Sequence, residues 1–260
     1  MAVDPTFSTN YLLGRGKALI SDDKLAWYDL GNLGSFNYAI AVETLEHMQS
    51  REPLKTVDKD VTISITASST LALETVHPEN IRLFLMGDAV AEQSQSSSTA
   101  VENTGFVAAH GKWKYVSDDG SGIGNFTVVD KVSSVVVEKD TTTYVLGKDY
   151  ILDERSGLIM TLSTGDITDE DTLTITYDVA ARTRYKIAAG KKSKIETHFR
   201  FCGNPASGSI IDVAGKVSLY PDGELGLISD EWATFNINAK FIDDSSYEGL
   251  LEHYDYGEVA

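Results

Sequence analysis

The sequence predicts a mainly β protein: a β-sandwich or barrel with one flanking α-helix and a long extended hairpin. Short runs of β-branched and aromatic residues alternate at period two throughout the 260 residues. Turn signals such as "DERSG", "STGD", "NPASG" and "YPDG" separate them. A single segment has helical spacing instead. Several short strands at such intervals suit a sandwich or barrel.

The elements follow in order. "SFNYAIAVE" (35–43) and "VTISITA" (61–67) are the first alternating runs, joined by the charged connection "SREPLKTVDKD" (50–60). Hairpin loops usually hold two to five residues, so an eleven-residue link implies a loop with a role of its own or disorder. "HPENIRLFLMG" (77–87) opens on His77 and Pro78, a helix-start signal, places Ile81, Phe84 and Leu85 at helical spacing, and ends at Gly87. "SSTLALETV" before it suits more helix or a strand. "EQSQSSSTAVENTG" (92–105) is polar and Ser-rich, the composition of a surface loop or linker. Strand patterns resume at "KVSSVVVEK", "TTYVLG", "LIMTLS", "TLTITYDV", "IETHFRF", "GKVSLY" and "ATFNINAKF". The acidic C-terminus, "DDSSYEGLLEHYDYGEVA", reads as a tail or an arm that docks on a neighbour. No internal repeat is visible. The expected organisation is one domain over 1–260, with 88–130 as an insertion or variable loop region.

Composition narrows the function. The formal charge of −17 opposes binding to nucleic acid, whose phosphates select Lys and Arg, and opposes attachment to anionic membranes. Simple solubility is the plainer reading of the same charge. The lone Cys202 forbids an internal disulfide. The first ten residues lack a basic-then-apolar pattern, so no signal peptide is expected, and no apolar run reaches the roughly 20 residues of a membrane span. The sequon at Asn125 then carries little weight.

Catalytic, cofactor and metal signatures are not found. His47, His77, His110, His198 and His253 are scattered, without metal-ligand spacing. "GSGIGN" (120–125) and "GRGKAL" (14–19) lack P-loop spacing and read as turns. No GxSxG elbow occurs. Cys202 reads as a half-buried strand residue. The acidic clusters "DITDED" (166–171) and "SDDG" (117–120) do not fit an EF-hand and read as solvated turns.

The first two strands are more informative. Phe36, Tyr38, Ile40 and Val42 share one face, and Asn37, Ala39, Ala41 and Glu43 the other. On the second strand Val61, Ile63 and Ile65 oppose Thr62, Ser64 and Thr66. Pairing them makes one apolar face and one small, polar, weakly acidic face. An ordinary solvent face usually carries long charged side chains; small residues give a smooth wall. A bulge after Glu43 would change parity over 44–48. Arg51, Glu52, Lys55, Asp58, Lys59 and Asp60 in the connection offer mixed charges to a neighbouring subunit.

The order of these segments resembles the major tail tube proteins of long-tailed, non-contractile bacteriophages. "LGRGKALI" is similar to the opening strand, "DLGNLGSFNYAIAVETLEHMQS" to the first long strand and "DKDVTISITAS" to its return. "HPENIRLFLMGD" resembles the helix behind them, and "YVLGKDYILDERSGLI" and "DTLTITYDV" the later meander. "ETHFRFCGNPASG" and "KVSLYPDGELGLISDEWATFNINAKFIDD" resemble the closing strands. Residues 88–130 match least. The resemblance implies a virion structural protein without enzymatic activity or cofactor. Hexameric rings would stack into a hollow tail, with the long hairpins forming a continuous barrel around the lumen. It further implies assembly in the host cytoplasm as a late protein, around a tape measure protein and with tail terminator and distal tail proteins as partners. DNA would pass through the lumen during ejection without specific binding, and no membrane is involved. Under this reading Asn37, Ala39, Ala41, Glu43, Thr62, Ser64 and Thr66 face the lumen, and residues 50–60 contact other subunits. A type VI secretion-like tube protein is a close alternative. A carbohydrate-binding β-sandwich would need clustered aromatics, and Trp27, Trp113 and Trp232 are scattered; a β-rich hydrolase would need a nucleophile and base.

Overall fold

A computed structural model describes residues 11–51, 53–118 and 129–258. Along the chain run β1 (Gly16–Ser21), β2 (Tyr28–Asp29), β3 (Leu33–Gln49), β4 (Thr56–Leu73) and the helix α1 (Pro78–Phe84). They are followed by β5 (Val90–Gln95), β6 (Ser98–Val107), β7 (Lys114–Tyr115), β8 (Val132–Lys139), β9 (Thr142–Thr143), β10 (Tyr150–Asp153) and β11 (Leu158–Thr161). The last are β12 (Thr172–Val179), β13 (Arg182–Ile187), β14 (Ile195–Gly203), β15 (Ser209–Asp222), β16 (Phe235–Ile242) and β17 (Glu252–Glu258). The protein is mainly β with one short helix. Where the sequence suggested one domain, the chain divides into two compact units. One comprises the chain up to Val90 and from Ile187 onward; the other is Ala91–Lys186.

The first unit is an antiparallel sheet in the order β2-β1-β14-β15-β16-β4-β3, with β17 paired to β15. Period-two alternation builds its core. Phe199 on β14, Val213, Val217 and Leu219 on β15, Phe235, Ile237 and Phe241 on β16, and Leu71 and Leu73 on β4 all point inward. Phe36 of the edge strand β3 stacks on Phe201 of β14, four strands away in the order, with ring centroids 4.7 Å apart. Gly215 is required where the Phe241 ring crosses β15: a Cβ there would lie 2.7 Å from that ring. Helix α1 starts as expected, with Pro78 in its first turn and His77 as N-cap, the ring accepting from the Glu79 N–H at 3.3 Å. It stops when Met86 takes a positive φ of 52° and the Gly87 N–H donates to the Arg82 carbonyl at 2.8 Å. Phe84 is buried edge-on against Phe235. Leu83, not singled out by spacing, is buried more deeply.

The second unit has sheets ordered β6-β12-β8-β9 and β10-β11-β7, while β5 pairs with β13. Phe106, Val137 and Ile175 from the first sheet share one core with Tyr150 and Ile159 from the second.

Three expectations need correction. Residues 92–105 are not a loop: most of them lie in β5 and β6. Most of their polar side chains face outward, while β12 pairs with β6 and β13 with β5, and Asn103 and Phe106 turn inward. "TTYVLG" is a strand only at Thr142–Thr143; beyond it the chain turns through Gly147 at φ 83°. The acidic C-terminal segment is neither free tail nor arm: Glu252–Glu258 pairs with β15 of its own chain, Val213 opposite His253. "GSGIGN" and Asn125 lie outside the described residues. No helix among the described residues is long and apolar enough to cross a membrane.

Candidate functional site: the extended hairpin

Strands β3 and β4, 17 and 18 residues long, pair along their whole length. The core holds only their root. β16 covers the second edge of β4 from Ser68 to Leu73 and no further, and among the described residues β3 has no partner but β4. From Asn37 to Met48 and from Thr56 to Ile63 every side chain is exposed. The free part of the arm runs ten residues along β3, about 33 Å at ~3.3 Å per residue. Both its edges carry unpaired backbone N–H and C=O groups.

The strands also extend into the charged connection. β3 ends at Gln49 and β4 begins at Thr56, so Asp58, Lys59 and Asp60 are strand residues and the true loop is 50–55. Charge does not break a strand whose faces both meet water. Arg51, Lys55 and Lys59 are exposed and form no ion pair with another described residue. Asp58 lies 2.5 Å from His47 across the pair. Lys59 stands opposite His47 and Asp60 opposite Glu46. Glu52 lies outside the described residues.

Register fixes the faces. Asn37, Ala39, Ala41 and Glu43 stand opposite Thr70, Ser68, Thr66 and Ser64. The Ser64 hydroxyl donates to Glu43 at 3.0 Å, which confirms their common face. A bulge then intervenes: Glu43 pairs with Ser64 but Thr44 with Thr62, leaving Ile63 as the extra residue. Thr62 is thereby corrected. It does not share the face of Ser64 and Thr66 but joins Thr44 on the opposite one. The same shift moves Val61 onto the small polar side, opposite Leu45, a change that alternation alone did not reveal. On the other face Ile40, Val42 and Ile65 remain 60%, 57% and 55% exposed, and Tyr38 is tied at the root by its hydroxyl to His253, 2.9 Å away.

Elsewhere the titratable groups serve packing. His77, His198 and His253 each meet a tyrosine hydroxyl, at 2.8, 3.1 and 2.9 Å. His110 Nε2 lies 3.0 Å from the Ile167 carbonyl. No three potential ligands gather among the described residues. Cys202 is half-buried on β14, and burial pushes its thiol up, the opposite of an activated nucleophile. In the 166–171 cluster Asp166 pairs with Lys148, Asp169 accepts the His110 N–H, and Asp171 pairs with Lys139 at 2.6 Å.

The extended hairpin offers open backbone hydrogen-bonding groups and exposed apolar surface. No curated protein matches the sequence. The family described as protein of unknown function UCP028589 matches residues 11–113 and 116–257, nearly the whole chain, and the protein belongs to that family.

Proposed function

We propose that the protein is the subunit of a hollow tube, a major tail tube protein of a long-tailed phage whose rings, hexameric in the resembling family, stack into a conduit for DNA. One observation carries the reading: a hairpin some ten residues past its core, with both edges open and an unshielded Ile40–Val42–Ile65 face. A two-stranded ribbon alone is marginal in water. Copies arranged in a ring would pair its edges, and a closed barrel leaves no edge at all. The apolar face would then lie against the ring wall, and Asn37, Ala39, Ala41, Glu43, Ser64 and Thr66 would line the bore. Tape measure, terminator and distal tail proteins are the partners this role requires, in the virion tail. Negative-stain microscopy of the concentrated full-length protein tests it. Rings or tubes are expected; a chain that stays monomeric at every concentration overturns the proposal.

A further inference from the structure

The turn between β15 and β16 carries an apolar knob. Ile228 is 100% exposed and Trp232 95%, with Leu227 close behind. Isolated exposed apolar residues are ordinary, but three within six residues of one loop form a patch with a purpose. Asp222, Glu224, Asp230 and Glu231 surround them, with no Lys or Arg between Val217 and Ala239. None of these four acids forms an ion pair with another described residue.

The same unit carries a hole. A cleft of about 330 Å³ opens between the start of β1 and the root of β3, walled by Leu12, Leu33, Phe36, Phe201 and Ile211. That is the lower range of ligand-sized pockets, roughly 300–1,000 Å³. Arg15 lines it, an exposed cation without an ion pair among the described residues. Trp232 does not fill its own chain's cleft, since it is almost fully exposed.

We propose that the 223–234 loop of one copy seats Trp232 in this cleft of a second copy, one of its acids meeting Arg15. Opposite charge selects a second copy as occupant: an acidic loop with an aromatic anchor fits an apolar cleft whose one charged lining residue is Arg15. Tryptophan is the residue that most often anchors such contacts. Knob and hole are different patches, so the contact is heterologous and propagates from copy to copy until a ring closes. Phe36 and Tyr38 in the cleft wall are the root of the hairpin. A neighbour seated there is brought beside the open edge of β3. This inference rests on the self-assembly reading and gives it a contact.

Cysteine pairing in the full chain tests it, in a Cys202→Ser background. Ser35→Cys, near-isosteric, lies in the cleft, and Ala233→Cys, a small addition, adjoins Trp232. Mixing the two single variants under oxidation should give disulfide-linked dimers that stop at two, while the double variant should give a ladder of higher oligomers. In a Trp27→Phe/Trp113→Phe chain, the Trp232 emission should shift to the blue on assembly and acrylamide quenching should fall several-fold. Arg15→Glu should weaken association at least tenfold by sedimentation. Rings or tubes in which Trp232 stays fully quenchable, or in which the mixed variants do not cross-link, overturn the docking and leave self-assembly standing. A chain that never associates overturns both.

Discussion

Asp149 organises the turn that joins the two sheets of the second unit. It is buried, and its two oxygens accept the Val145 and Asp166 N–H groups, each at 2.8 Å. The Asp166 amide first, and then that of Val145, hold the carboxyl below its ordinary range; Lys148 adds to this, and together they outweigh burial. A carboxylate depressed in the folded state stabilises at pH values above its unfolded value, about 3.9, and that contribution is lost as pH falls through and below it. Thermal unfolding followed at Trp113, which lies in this unit, should therefore shift to lower temperature as the medium is acidified below about pH 4. Asp149→Asn keeps one acceptor and loses the other, leaving a buried amide N–H without its partner. The expected cost at pH 7 is about 1–3 kcal/mol, with a shallower acid slope. The slope should not vanish, because Asp153, Asp171 and Asp178 are depressed as well. Superimposable curves for the variant and the parent at every pH would show that the two amide bonds contribute nothing. Nothing in the spacing of "LGKDYILDERSG" marks this aspartate out, since its partners depend on how the two turns close.

At the scale of elements, the hairpin's tip and its body are separable. Removing 51–57 takes away the loop and the first two residues of β4, while the buried part of that strand begins at Ala67. The shortened chain should keep its circular dichroism and melt within a few degrees of the parent, yet fail to extend tubes. Full-length tubes from it would make the tip dispensable. Assembly should also weaken only modestly with salt, because exposed ion pairs contribute about 0–1 kcal/mol each. The sequence discloses β3, β4, β12, β14 and β16 because each alternates toward a core that rewards alternation. It discloses β5, β6, β13 and β17 poorly: their polar side chains are compatible with a strand but do not demand one, and only the partner strand decides. The bulge at Ile63 is hidden for a related reason. Both parities of "VTISITAS" are chemically reasonable where neither face is buried, so pairing geometry, not pattern, sends Thr62 to the opposite side. The 223–234 knob is legible only in retrospect, as apolar residues inside a turn that a soluble loop would not need.

For the whole molecule, under the tube proposal, the question is how an anionic polymer would pass an assembled wall. The chain carries −17 overall, and the proposed bore surface holds Glu43 among alanine, serine, threonine and asparagine, with Leu45 and Val61 past the bulge. Such a wall repels phosphate or is indifferent to it. Screening limits the effect to about a Debye length, roughly 8 Å at physiological salt, so the side chains lining the bore matter more than distant charge. Glu43 and Thr66 occupy the same face of the ribbon at adjacent register positions. Replacing both by Lys puts two cations on each subunit where one anion stood, and a ring of subunits repeats them around the bore at every layer. Neither substitution removes buried apolar surface, so folding should be unaffected. DNA would then meet successive attractive rings, and each release would cost the counterion gain that binding gave. Genome ejection from particles built with Glu43→Lys/Thr66→Lys should slow several-fold, and rising salt should restore the rate, since the attraction is electrostatic. Unchanged ejection from intact tails would place these side chains away from the conduit. Slowing that salt does not relieve would point to steric obstruction by the longer lysines, a different cause that Glu43→Gln, nearly isosteric with the parent, would leave without effect.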